Sequence, residues 1–157
     1  MNAQVSELYS LLIPLQGERL LVPRACVAEI IPFTEPGRPG ANGELPAWFR
    51  GSISWNGREV PVVSFEAMSG EQARKRAGRT RIVVFHVIGE QLKAGFYGVI
   101  TQGFPQLVRV NSDVLAAEPE RPCPEGQPVL CRTRMINEYP MIPDVERLEA
   151  MIAELGI

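Results

Sequence analysis

A chain of 157 residues has room for one domain, or for two small lobes sharing one core. Hydrophobic residues at 45% and charged residues at 22% exclude wholesale disorder. Sixteen basic against eighteen acidic residues give a formal charge of -2, which excludes a general nucleic-acid coat or a polybasic membrane clamp.

Met1 to Ser10 has no basic start and carries Glu7 inside its apolar part, so it does not read as a secretory signal. No apolar stretch approaches the roughly 18 to 20 residues of a membrane helix. Leu8 to Leu15 is apolar at nearly every position and reads as a buried strand. A turn at Gln16 to Arg19 returns the chain through Leu20, Leu21 and Val22. Pro23 opens a short helical turn, since its fixed φ suits a first helical position. Val27 to Phe33 reads as a third strand, and Pro32 marks it as an edge or an early end. Residues 35–46 hold three glycines and three prolines and read as a variable surface loop.

Trp48 to Trp55 and Glu59 to Phe65 flank Asn56-Gly57. That pair is the strongest short hairpin signal, because both residues tolerate the positive φ of a type I′ turn. Residues 69–80 form a polar basic linker. Arg81 to Ile88 is a buried strand, and Leu92 to Val99 pairs back on it. Gln106 to Val110 is a short strand. Asn111 to Asp113 opens a helical turn over Val114 and Leu115. Glu118 to Pro128 is a proline-rich loop, and Val129 to Met135 and Asn137 to Ile142 are the last strands. Val145, Leu148, Met151, Ile152 and Leu155 are spaced by three and four, so 144–155 is an amphipathic helix. Asp144 caps its start and Gly156 its end. The helix either packs on its own barrel or docks a partner. Trp48, Phe49 and Trp55 are core, or one of them is an exposed anchor.

The chemistry-bearing residues are sparse. His86 is the only histidine and lies within a predicted core strand. Cys26, Cys123 and Cys131 lack metal-ligand spacing, and an odd count in a chain of this size points to a reducing cytoplasm. Cys26 and Cys131 read as small buried hydrophobes. There is no G-x-S-x-G elbow and no phosphate-binding glycine motif. The carboxylates are scattered. The reading is therefore a non-enzyme with no metal and no cofactor. Arg74, Lys75, Arg76, Arg79 and Arg81 place five positive charges in eight positions. This run is either a solvated loop or the footprint of a small nucleic-acid-binding barrel; it lacks the interleaved aromatics of a stacking platform.

From Tyr9 to Phe65 the sequence resembles the CheW family of chemotaxis coupling proteins. The resemblance is carried by LLIPLQGERLLVP, by Val27-Ala28-Glu29-Ile30, by Leu45-Pro46 and above all by Arg50-Gly51-Ser52-Ile53-Ser54-Trp55-Asn56-Gly57-Arg58-Glu59-Val60-Pro61-Val62-Val63-Ser64-Phe65. The two glycines and the proline fall at family spacing. Three departures mark a divergent member: Asn56 stands where the family has arginine, Ser64 where it has aspartate, and Gly98 to Thr101 lacks a common acidic residue.

The resemblance implies a mainly β fold of two small five-stranded SH3-like barrels on a shared core, with a C-terminal helix, over residues 1–157. It implies an adaptor between a CheA-type histidine kinase regulatory domain and the signalling tip of a methyl-accepting chemoreceptor. Neither nucleic acid nor the membrane itself is expected as a partner. The motility output would be flagellar or type IV pilus. It places receptor contacts at Val27, Glu29, Ile30, Arg50 and Asn56. Gly51, Gly57 and Pro61 are expected as structural turn residues.

Overall fold

The computed structural model describes residues 8–37, 45–70, 78–118, 127–135 and 137–156. Among the described residues the chain forms eleven strands: β1 Leu8–Pro14, β2 Arg19–Pro23, β3 Val27–Pro32, β4 Phe49–Trp55, β5 Arg58–Val63, β6 Arg81–His86, β7 Phe96–Thr101, β8 Gln106–Val110, β9 Ala116–Ala117, β10 Val129–Arg134 and β11 Met141–Pro143. Two short helices join them, α1 Phe65–Met68 and α2 Val145–Ala153, and a 3-10 turn covers Arg24–Cys26.

The strands fall into two sheets, ordered β8-β1-β2-β11-β10-β9 and β3-β6-β7-β5-β4. These are two SH3-like barrel lobes. The chain starts in the first lobe, builds the second with β3 to β7, and returns to complete the first. Two ladders are parallel: β5 with β7, through Val62 opposite Gly98 and Val63 opposite Val99, and β11 with β2, through Met141 opposite Leu20.

Alternation of side chains along each strand splits the core into three. Leu12, Leu21, Val110 and Met135 fill the first lobe. Ile53, Val60, Val62, Ile82 and Val84 fill the second. Their odd-and-even neighbours, Leu11, Ile13, Leu20, Val22, Val83, Phe85, Tyr97 and Val99, point the other way into a shared core between the lobes. β1, β2, β6 and β7 are thus apolar on both faces for two different reasons.

α2 closes the shared core. Leu148 and Ile152 are buried in it, and Val145, Met151 and Leu155 pack around them. The helix therefore packs on its own barrels. The Asp144 carboxylate accepts from the Arg147 amide at 3.1 Å and caps the first turn, and Gly156 leaves the helix at φ 74°. Glu149 is buried as well, against its polar chemistry. Its two oxygens accept from the amides of Ile88 and Gly89, each at 2.8 Å, and so tie α2 to the end of β6.

Several expected bounds move. Phe65 does not extend β5. Ser64 caps α1 by accepting from the Ala67 amide at 3.3 Å, and Phe65 turns into the shared core. Residues 92–95 are a turn rather than strand, with Gly95 at φ 79° and its amide donating to the Leu92 carbonyl at 3.3 Å. The expected last strand from Asn137 shortens to β11, because Met135 and Glu138 bond each other's backbone in a tight return. β9 was not expected; two alanines carry no periodicity.

Candidate partner-docking site

The site is built from the β4–β5 hairpin upward. Asn56 at φ 48° and Gly57 at φ 73° make the turn, both in the left-handed region that this pair tolerates. The turn sets Trp55 opposite Arg58. Both side chains then reach Phe96 of β7. The Trp55 ring meets it edge-on at 4.8 Å between centroids, and the Arg58 guanidinium lies over it at 5.5 Å. Arg58 Nη1 also donates to the Ala94 carbonyl at 3.4 Å. His86, opposite Phe96 in the β6–β7 ladder, tilts against the same ring at 5.4 Å and is exposed.

β3 lies on the other side of Trp55. Strict alternation would put Val27 and Ile30 on opposite faces. A register shift between Val27 and Glu29 adds one residue, so both pack against the shared core. Ala28 and Ile31 turn into the second lobe. Glu29 is exposed, and its Oε1 accepts from the Trp55 indole Nε1 at 3.0 Å. The second lobe is closed along this seam by that bond and by a reciprocal backbone pair, Gly37 with Ser52 at 2.8 and 2.9 Å.

The structure thus brings Glu29 beside the Asn56 hairpin, with Val27 and Ile30 half-buried behind it. Arg50 is exposed but sits at the other end of β4, five residues from Trp55, roughly 17 Å at about 3.3 Å per residue. Glu29 and Arg50 are therefore separate charges. Of the three expected turn residues, Gly57 is in the turn. Gly51 is not: it is a strand residue at φ 122°, at the register shift of β4, where a Cβ would meet the Gly37 carbonyl oxygen at 2.6 Å. Pro61 is not a turn residue either; it lies buried within β5 opposite Ser52.

Trp55, Arg58, His86 and Phe96 were not singled out together in the sequence. Trp55 and Arg58 flank an Asn-Gly turn, so their pairing was readable from the hairpin. Phe96 was not, because the β5–β7 ladder is a long-range parallel pairing.

Two groups packed in the shared core, Tyr97 and Cys26, are pushed toward their protonated forms. Burial pushes the Tyr97 phenol far above its usual range, and Glu149 and Cys26 push it the same way. Its hydroxyl has no hydrogen-bond partner among the described residues. Burial, then Glu149, raises the Cys26 thiol, the opposite of an activated nucleophile. Buried Glu66 accepts from the Gln16 amide at 3.1 Å and from Gln102 Nε2 at 3.3 Å. It lines a cavity of about 100 Å³ between the lobes with Glu18 and Arg132, which pair at 3.3 Å. A shallow cleft of about 460 Å³ lies alongside, crossed by an Arg19–Glu138 ion pair at 2.7 Å.

Among the described residues no group of three or more His, Cys, Asp or Glu could hold a metal, and no helix is long and apolar enough to cross a membrane. Cys123 and most of the basic run, 74–77, lie outside the described residues. Of the rest of that run, Arg79 is exposed, and Arg81 turns back to the carbonyls of Thr80 at 3.0 Å and Gly78 at 3.3 Å.

The first lobe presents a different surface. Tyr9 of β1 and Leu107 of β8 are 49% and 52% exposed and share the outer face of that ladder.

Comparison with known proteins bears on both lobes. The family model for a CheW-like domain matches residues 10–149. Among solved structures, this chain is similar to the scaffolding protein TtCheW from Thermoanaerobacter tengcongensis, with a TM-score of 0.72 at 15% identity, over 88% of this chain and 89% of that one. No curated protein matches.

Proposed function

Because the chain belongs to the CheW-like domain family, we propose that it is a non-enzymatic adaptor that couples methyl-accepting chemoreceptors to a CheA-type histidine kinase in a chemosensory system driving flagellar or type IV pilus motility. The observation that carries this reading is the family match across residues 10–149, which takes in both lobes and most of α2. An adaptor needs two separate surfaces and no chemistry. The second lobe offers a polar and aromatic face around Glu29, Asn56 and Arg58. The first offers apolar side chains at Tyr9 and Leu107.

The receptor tip would meet the second-lobe face. Glu29 supplies charge register there, the half-buried Val27 and Ile30 supply apolar contact, and Asn56 marks the hairpin edge. Arg50, at the far end of β4, would touch only a partner that runs the length of that strand. The kinase regulatory domain would cover the Tyr9 and Leu107 face, barrel against barrel. An apolar patch rimmed by polar groups such as Arg109 suits such a contact. The working compartment is the cytoplasm, where both partners present these domains.

Calorimetry with the kinase regulatory domain and with a receptor signalling fragment from the same genome tests the reading. Binding of both is expected, at separate sites. If neither binds even at about millimolar affinity, the weak limit of a specific contact, the adaptor reading fails.

A further inference from the structure

The second-lobe face holds a cation that the motif reading passed over. Asn56 leaves the hairpin tip without a charge. Two residues on, Arg58 makes two contacts that place it. Its guanidinium lies over Phe96, 5.5 Å from the ring centroid. Its Nη1 is bonded to the Ala94 carbonyl at 3.4 Å. Its cross-strand neighbour Trp55 is braced on the same ring and tied to Glu29. Among the described residues Arg58 forms no ion pair, although it is exposed.

An exposed arginine ordinarily samples many rotamers, and ordering it on binding is costly. Here the Phe96 ring and the Ala94 carbonyl already restrict it in the free protein. A guanidinium presents its donors in one plane, which matches a planar acceptor such as a carboxylate. Beside it, across the Trp55 indole, stands the Glu29 carboxylate. The face therefore carries a fixed positive and a fixed negative group with an aromatic wall between them.

We infer that Arg58 is a specificity-determining residue of this face: it supplies the cation that Asn56 does not, and it selects a receptor tip bearing a carboxylate opposite it. This rests on the adaptor reading, with the receptor tip on the second lobe. Trp55 and Phe96 act as positioning residues, since they hold the guanidinium rather than meet the partner's charge.

The test uses the full chain, a receptor signalling fragment and the kinase regulatory domain, with affinity measured at two ionic strengths. Arg58→Met keeps an unbranched stem on Phe96 and removes the charge. It is expected to weaken receptor binding on the order of tenfold and to flatten its salt dependence, leaving kinase-domain binding and Tm unchanged. Arg58→Lys keeps the charge but loses the planar fork, and should fall between. Placing the cation on the turn in the same background, Asn56→Arg with Arg58→Met, should restore part of the lost affinity. If Arg58→Met binds the receptor fragment as tightly as the parent protein, and with the same salt dependence, the role of Arg58 is overturned and the adaptor reading stands. If the parent protein binds the kinase domain but not the receptor fragment, both the receptor arm of that reading and this inference fall.

Discussion

The two lobes have the same architecture and are finished differently. The second is packed to closure. Ile82, Val60, Val62 and Val84 are wholly buried, and Gly98 has no room for a Cβ, which would stand 2.8 Å from Ile82 Cγ2. Its exterior is polar and aromatic. The first lobe is looser. Its sheet includes β9 and β11, of only two and three residues, and a register shift in β10 leaves Leu130 64% exposed. Tyr9 and Leu107 also stand outward on it. Sequences that fold on the same plan can thus spend their apolar residues inward or outward. On the proposed adaptor reading, the second lobe would carry charge specificity and the first would keep apolar area for a partner.

The comparison breaks most sharply at the layer the lobes share. Phe85 is buried there, stacked on Tyr97 at 5.3 Å. Phe85→Ala should cost about 3–5 kcal/mol and should lower both lobes together in one urea transition. Two separate transitions would show that the lobes are independent.

Gly98→Ala acts on the second lobe alone. The added methyl meets Ile82 and, at 3.3 Å, Val62. A loss of about 1–3 kcal/mol is expected, from overpacking in a lobe with no slack. A thermal melt that leaves Tm unchanged would mean the second lobe is as loose as the first.

Tyr97→Phe should be close to neutral in stability, or slightly stabilising, at pH 7. It deletes a hydroxyl with no partner and keeps the stacking. Its distinctive effect is alkaline. The folded state holds the phenol proton above the ordinary value of 10.0, and the thiol proton of Cys26 above 9.0. Their contribution is complete below those values and is lost as pH rises past them, because the unfolded chain then releases protons that the folded one retains. Denaturant midpoints across pH 7 to 11 should fall in the parent protein and fall less in Tyr97→Phe. Equal slopes would remove Tyr97 from the account.

Glu29→Lys has a small effect on stability and the sharpest on function. It loses one exposed hydrogen bond to Trp55, worth about 1 kcal/mol or less. Receptor-fragment affinity should drop roughly tenfold, with kinase-domain affinity unchanged, because the two faces are on different lobes. A matching loss at the kinase domain would merge the two faces into one.

Much of the local structure was legible because it depends on neighbours in the chain. The Asn56-Gly57 hairpin, the Asp144 cap and the three-and-four spacing of α2 are of that kind. The runs LYSLLIPL and RIVVF read as buried strands for the same reason. What was not legible depends on partners far away in sequence. The buried role of Glu149 needs the amides of Ile88 and Gly89, about sixty positions back. The side on which Val27 and Ile30 fall needs the register shift of β3. Phe96 comes beside the Asn56-Gly57 hairpin only because β7 pairs in parallel with β5.

By itself the sequence determined that this is a chain of short strands and tight turns ending in an amphipathic helix, and the motif around residues 45–65 located its family. Periodicity and turn chemistry are local, and each residue carries its own part of them. Only the tertiary structure decided which of two apolar faces each strand gives to its lobe and which to the shared core. It also decided which charged groups stand side by side. Register, closure and parallel pairing are relations between distant segments, fixed by packing that no single segment contains.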